Sequence, residues 1–175
     1  RGLRVTIGET FGMSQRGGSV MSHIRVSHSE VWSPQIPKGR ADLIVALEPI
    51  EALRVLFDYG NPGVRLFVNL RPIYPVGVIT GESQCPDEES IRAAAADLSA
   101  AAFFLNATDE AVKLGNPILG NIVMIGAVSG LKVLPIDGNL FETVIREVLA
   151  AARVEANLLA FAIGEAAVKG NVGKG

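Results

Sequence analysis

An α/β fold built on an open, mainly parallel sheet with flanking helices is predicted by three features of the sequence. The run Leu43-Ile44-Val45-Ala46-Leu47 is apolar without alternation, as in a strand covered on both faces. Glu48-Pro49 then opens a helical stretch in which Ala52, Leu53, Leu56 and Phe57 recur as one apolar stripe. Proline suits a first helical turn because it has no N–H to leave unpaired there. After Gly60-Asn61-Pro62-Gly63 ends the helix, Val64 to Asn69 forms a second run of buried type. Residues 42–69 therefore read as strand, helix, strand, for which a parallel pair with a right-handed crossover is expected.

The remaining elements follow from local pattern. Leu3, Val5 and Ile7 alternate with Arg4 and Thr6, and Val20, Ile24 and Val26 alternate with Met21, His23 and Arg25, so both runs read as half-exposed strands. Thr10 to Ser19 between them is too long and too polar for a two-residue hairpin turn. Ser33 to Gly39 is rich in turn residues, and residues 71–86 carry Pro72, Pro75 and Pro86 with Gly77 and Gly81, an irregular connection. Ile91, Ala94, Ala95 and Leu98 mark a helix, and Ala102 to Leu105 a short strand. A strongly amphipathic helix bearing Leu140, Phe141, Val144, Ile145, Val148 and Leu149 follows the turn at Asp137-Gly138. A last helix from about Val154 to Lys169 is expected to pack through Leu158, Leu159, Ala162 and Ile163, with residues 170–175 fraying. There is no internal repeat, and residues 1–175 read as a single domain.

Composition excludes several classes of function. Hydrophobic residues make up 49% and charged residues 19% of the 175 positions, far from a disordered composition. Net charge is -2, which gives no electrostatic footprint for nucleic acid. The uncharged stretch Leu114 to Leu131 is long enough to span a bilayer, but Asn116, Pro117 and Asn121 lie inside it, so it reads as a helix buried in protein rather than in lipid. The N-terminal residues show no signal-peptide apolar stretch, and the absence of a disulfide framework leans to a reducing, cytoplasmic setting. The chain opens on Arg1 rather than methionine, as expected of a processed product or a piece of a longer chain.

A self-contained active site is not evident. The sequence has one cysteine and two histidines, too few donors for a four-ligand zinc or iron–sulfur site. His23 and His28 are five residues apart on strand-like sequence, a separation that turns them to opposite faces. Cys85 lies beside Pro86 in an acidic stretch that does not activate a thiol, and neither a serine elbow nor a complete phosphate-binding glycine motif is present. The informative segment is Gly12-Met13-Ser14-Gln15-Arg16-Gly17-Gly18-Ser19. Three glycines permit close backbone approach and free N–H groups, and Arg16 adds a planar donor fork. Such a segment fits docking to a partner chain or an anion, and fits equally a surface loop whose glycines only make turns.

The same residues carry a resemblance. Glu9-Thr10-Phe11 running into Gly12 to Val20, with Ser22-His23-Ile24-Arg25, then Ser33-Pro34-Gln35-Ile36-Pro37, Ala41-Asp42-Leu43 and Ala46-Leu47-Glu48-Pro49, resembles the gamma subunit or gamma domain of the 2-oxoacid:ferredoxin oxidoreductases, including the pyruvate, ketoisovalerate, 2-oxoglutarate and indolepyruvate types. Asn69, Pro72-Ile73, Leu114-Gly115-Asn116, Asn121 to Ala127 and Asn157 to Gly164 follow in the same order, so the likeness covers nearly the whole chain.

The resemblance implies a Rossmann-like sheet in which this chain lacks the first strand–helix unit. It implies an enzyme that oxidatively decarboxylates a 2-oxoacid with coenzyme A to an acyl-CoA and passes electrons to ferredoxin. Thiamine diphosphate and iron–sulfur clusters are held by other subunits in that family, so this chain is expected to bind none of these cofactors alone and to be a non-catalytic subunit. Its partners would be the thiamine diphosphate-binding and ferredoxin-like subunits, and coenzyme A or a second copy of the chain are further expected partners. Gly12, Met13, Ser14, Gln15, Arg16, Gly17, Gly18 and Ser19, with His23 and Arg25 nearby, are the expected partner- or ligand-binding residues; no residue is assigned a catalytic role. Glu48 is read as a solvated acid at a helix N-terminus, and Asn121 and Asn157 as caps or satisfied core groups. The alternative is a free-standing α/β protein that uses the same glycine-rich segment for an anionic small molecule.

Overall fold

The computed structural model describes residues 2–11, 20–71 and 86–169. Along them the chain runs through β1 (Arg4–Phe11), β2 (Val20–Ser27), β3 (Leu43–Ala46), α1 (Pro49–Tyr59), β4 (Arg65–Asn69), α2 (Glu88–Leu98), β5 (Ala101–Leu105) and α3 (Ala107–Lys113), then a 3-10 turn (Pro117–Leu119), α4 (Gly120–Gly130), α5 (Gly138–Val148) and α6 (Ala151–Lys169). Strands β3, β4 and β5 form a parallel sheet in that spatial order, with Leu43 opposite Arg65 and Arg65 opposite Ala101. The α/β class and the parallel strand, helix, strand unit are as the sequence predicts.

Central strand β4 accounts for both halves of the core, because Leu66, Phe67 and Val68 are all fully buried although they alternate between faces. Leu66 and Val68 join Ile44, Ala46, Ala52, Leu56, Tyr59 and Ala95 beneath α1 and α2. Phe67 turns to the other face, where it stacks on Phe103 at 5.0 Å and packs with Ala107, Val123, Met124, Ala127 and Ala160 of α3, α4 and α6. Burying each large side chain of this kind contributes about 1.5–3 kcal/mol.

Three packing expectations need correction. Strand β3 is only partly covered on its second face: Leu43 packs against the helical layer, but Val45 is 44% exposed and Leu47, just past the strand, is also open to solvent. The helical layer on that side is built over Phe67 of β4 and Leu105 of β5, and β3 is the sheet edge, so apolar continuity in its sequence did not translate into two covered faces. In α1 the buried positions are Pro49, Ala52, Leu56 and Tyr59; Phe57, one residue round the helix, is 87% exposed.

The third correction concerns α6, which packs through Val154, Asn157, Ala160, Phe161, Gly164 and Val168, leaving Leu159 half exposed. The cause is the closeness of its crossing with α4. A β-carbon on Gly126 would overlap the Phe161 carbonyl, and one on Gly164 would overlap the Val123 carbonyl. The seam therefore follows the small residues rather than the largest apolar ones.

The uncharged stretch from Leu114 is likewise not one continuous helix. Gly115 turns left-handed at φ +83°, which ends α3, and Asn116 Oδ1 accepts the Ile118 N–H at 3.0 Å to start the 3-10 turn. Only α4 continues it, buried on most sides through Val123, Met124, Gly126, Ala127 and Val128. Among the described residues no helix is long and apolar enough to cross a membrane.

Strands β1 and β2 pair antiparallel as a separate two-stranded sheet, from Arg4 opposite Ser27 to Phe11 opposite Val20. Their alternation is real, but its polarity is reversed. Val5, Ile7, Val20, Ile24 and Val26 are exposed, whereas Met21, His23 and Arg25 face inward. The inward face meets backbone of the segment Ser33 to Ile36, and main-chain N–H and C=O groups are better matched by polar side chains than by aliphatic ones.

Candidate partner-binding site

Of the predicted site residues, Gly12, Met13, Ser14, Gln15, Arg16, Gly17, Gly18 and Ser19 lie outside the described residues. The structure places the other two, His23 and Arg25, side by side on the inward face of β2. His23 is 3% exposed. Its Nδ1 accepts the Ile36 backbone N–H at 3.3 Å, and its buried Nε2 has no hydrogen-bond partner among the described residues. The imidazole also meets Tyr59 in a T-shaped contact, centroids 5.2 Å apart. Arg25 donates to the carbonyls of Ser33 at 3.1 Å and Gln35 at 3.2 Å, and its guanidinium lies 4.6 Å from the centre of the Trp32 ring. His28, at the opposite end of the parity argument, is exposed.

These contacts fasten the base of the hairpin to Ser33–Pro37. Gly8 on β1 completes them, because a β-carbon there would come within 2.7 Å of Pro34 Cβ. Gln35 Nε2 reaches the Tyr59 hydroxyl at 3.5 Å, extending the attachment to α1. Gly8, Trp32 and Tyr59 were not singled out by the sequence; the one signal available was Ser33-Pro34-Gln35-Ile36-Pro37, a turn-rich stretch carried only by the resemblance.

A second polar assembly stands at the C-terminal ends of the parallel strands, the side of such sheets on which ligands commonly bind. Asn69 is buried and its Nδ2 donates to the Leu47 carbonyl at 3.1 Å and to Thr108 Oγ1 at 2.8 Å. Its Oδ1 accepts the Thr108 N–H at 3.2 Å. Glu48 occupies the N-cap position of α1 with no side-chain capping bond, and it is half-buried rather than freely solvated. Burial, and then the neighbouring Glu51 carboxylate, hold its carboxyl above the usual glutamate range. Asn157 is satisfied as expected, donating to the Arg153 carbonyl at 2.8 Å; Asn121 is exposed in the first turn of α4. A hollow of about 490 Å³ opens beside the end of β5, lined by Leu105, Asn106, Ala107, Glu110, Val123 and Ile163 among others. Its one acid, Glu110, is paired with Lys113 at 2.7 Å.

Compared with known proteins, residues 1–167 match the family model described as pyruvate ferredoxin/flavodoxin oxidoreductase. The chain belongs to that family. The indolepyruvate oxidoreductase subunit IorB of Pyrococcus horikoshii is 36% identical over 169 residues, 96% of this chain and 83% of that protein. The keto/oxoacid ferredoxin oxidoreductase gamma subunit from Geobacter sulfurreducens shares the fold with a TM-score of 0.62 at 20% identity, over 97% of this chain and 82% of that one. The 2-oxoglutarate:ferredoxin oxidoreductase from Magnetococcus marinus, solved with 2-oxoglutarate, coenzyme A and succinyl-CoA bound, aligns with a TM-score of 0.64 at 20% identity, over 97% of this chain but 26% of that one. The resemblance to gamma subunits of 2-oxoacid oxidoreductases is thus borne out.

Within the pyruvate ferredoxin/flavodoxin oxidoreductase family, this chain's donor set does not fit an iron–sulfur cluster. A cluster takes four ligands, mostly thiolates, and the sequence holds one cysteine. Of its histidines, His23 has Nδ1 committed to a backbone N–H. Among the described residues no group of three or more His, Cys, Asp or Glu converges. The arrangement anchors the base of the β1–β2 hairpin on Ser33–Pro37 and leaves the aliphatic side chains of Val5, Ile7, Val20, Ile24 and Val26 exposed.

Proposed function

We propose that this chain, as a single domain over residues 1–175, is the gamma-type subunit of a multi-subunit, cytoplasmic 2-oxoacid:ferredoxin oxidoreductase. The complex converts a 2-oxoacid and coenzyme A to an acyl-CoA, and this chain supports the reaction without carrying its chemistry. Thiamine diphosphate and the clusters belong to partner subunits, since the residues here do not suit a cluster. Gly12 to Ser19 is the segment that meets the partner, with coenzyme A as a second ligand it is suited to reach through backbone N–H groups and Arg16. A second copy of the chain is a further partner within the assembly.

One observation carries this reading: a chain matched along nearly its whole length by oxidoreductase subunits uses Asn69, His23 Nδ1 and Arg25 Nη1 in bonds that hold its own fold. The test is affinity capture of the tagged full-length protein from its native cell. Co-elution with a thiamine diphosphate-binding subunit and a cluster-bearing subunit supports the reading. A lone protein whose melting temperature rises on adding coenzyme A or nucleotides supports the free-standing anion-binding alternative instead.

A further inference from the structure

The hairpin meets the rest of the molecule through Met21, which packs against the core beneath α1, and through the polar contacts of His23 and Arg25. Its outward face is aliphatic and exposed, so hydrophobic burial acts on its direction through Met21 alone of the aliphatic and thioether side chains of β2. With Met21, the seat on Ser33–Pro37 fixes it: His23 Nδ1 on the Ile36 N–H, Arg25 Nη1 on the carbonyls of both Ser33 and Gln35, the Trp32 ring against that guanidinium, and the bare α-carbon of Gly8 against Pro34. Hydrogen bonds of this kind are directional, and a planar guanidinium held against the Trp32 ring fixes an orientation as well as a distance. A short two-stranded ribbon is marginal by itself, so its orientation is set by whatever clamps its base.

We propose that His23 and Arg25 are positioning residues, which lock the β1–β2 hairpin on the Ser33–Pro37 segment and so set the direction in which the chain offers that hairpin to its partner subunit. This rests on the reading that Gly12 to Ser19, which joins the two strands, meets the partner. The two residues act through the hairpin rather than by touching the partner, because His23 is buried and Arg25 Nη1 and His23 Nδ1 are bonded to the backbone of Ser33–Ile36.

Trp32 is the sole tryptophan of the chain, so its emission reports the seat directly. The experiment uses the full-length protein co-expressed with its partner subunits. Arg25→Met keeps the apolar stem and removes the guanidinium, His23→Phe keeps a ring and removes the acceptor, and Gly8→Ala crowds Pro34. Arg16→Ala tests the underlying reading without touching the seat. Each variant is read in three ways: Trp32 emission, urea midpoint of the isolated chain, and retention in the complex on size exclusion.

Arg25→Met, His23→Phe and Gly8→Ala are expected to shift Trp32 emission and to weaken retention by about tenfold or more, the scale of losing a well-packed interface anchor. The parallel-sheet core should still unfold cooperatively. Arg25→Lys keeps a donor for the two carbonyls but loses the planar guanidinium that lies over Trp32, and it should recover only part of the loss. A merely structural role would lower the urea midpoint and leave retention of the folded fraction intact, and that result overturns the proposal. If Arg16→Ala leaves both emission and retention at wild-type levels, the loop reading itself fails. If Arg16→Ala weakens retention while all three seat variants bind normally, the loop reading stands and the positioning role is refuted.

Discussion

Asn69 and Thr108, 39 residues apart in sequence, hold each other by two hydrogen bonds: Asn69 Nδ2 donates to Thr108 Oγ1 at 2.8 Å, and the Thr108 N–H donates to Asn69 Oδ1 at 3.2 Å. Because Asn69 Nδ2 also reaches the Leu47 carbonyl, one side chain ties together the C-terminal ends of β3 and β4 and the start of α3. Asn69→Leu strands these buried partners and should cost about 2–4 kcal/mol. Asn69→Asp keeps the acceptor but loses both donations, and it should be no better than Asn69→Leu in urea denaturation.

Gly164 illustrates a different constraint. In an open helix, replacing glycine by alanine stabilises by roughly 1 kcal/mol. Here the added carbon would meet the Val123 carbonyl of the neighbouring helix, so the sign inverts. Gly164→Ala is expected to destabilise by about 3 kcal/mol, as overpacking does, and to lower the melting temperature measured by circular dichroism. An increase in stability would mean that α4 and α6 do not cross this closely.

The Glu48 carboxyl makes a pH-dependent prediction. Its folded pKa lies above the ordinary value because burial, and next Glu51, disfavour the charged form. The folded state then binds protons more readily than the unfolded state. Relative stability is greatest below the ordinary glutamate range and falls as pH rises through the raised pKa. Glu48→Gln should therefore raise the urea midpoint at pH 7. Its advantage should vanish as pH drops below the ordinary glutamate value of 4.5. A Glu48→Gln protein less stable than wild type at pH 7 would contradict this account.

Ile7 and Ile24 stand directly opposite each other on the outward face of the hairpin, both exposed. Changing both to threonine keeps β-branched side chains suited to strands. Stability should change by less than about 1 kcal/mol, as for surface positions generally. Binding of the apolar dye ANS should fall, since this face is among the aliphatic surfaces the fold leaves open. A large loss of stability would show that the face is covered within the molecule.

Much of the fold was legible because it rests on short-range patterns. The apolar runs at Leu43–Leu47 and Val64–Asn69 bracket a helix with Pro49 in its first turn, and the parallel pair follows. The failures share one cause: sequence patterns report how apolar a residue is, not how near its neighbour comes. Leu158 and Leu159 outrank Gly164 in hydrophobicity, yet only glycine admits the Val123 carbonyl. Val45 and Phe57 are as apolar as buried residues, but the helical layer lies mainly over β4 and β5 rather than Val45, and Phe57 falls off the buried face of α1 formed by Ala52, Leu56 and Tyr59. At the candidate site, alternation placed His23 and Arg25 together on one face of β2 correctly. It could not show which face is inward, because their acceptors and donors are backbone groups of Ser33, Gln35 and Ile36, to which any sequence gives the same atoms.

The most direct test of the central claim, that this subunit supports chemistry performed elsewhere, is an omission assay of 2-oxoacid- and coenzyme A-dependent ferredoxin reduction. The purified chain alone should give no turnover with any 2-oxoacid. The complex stripped of this chain should lose activity and regain it when the chain is added back. Ferredoxin reduction by the chain alone, or full activity of the complex without it, would contradict the account.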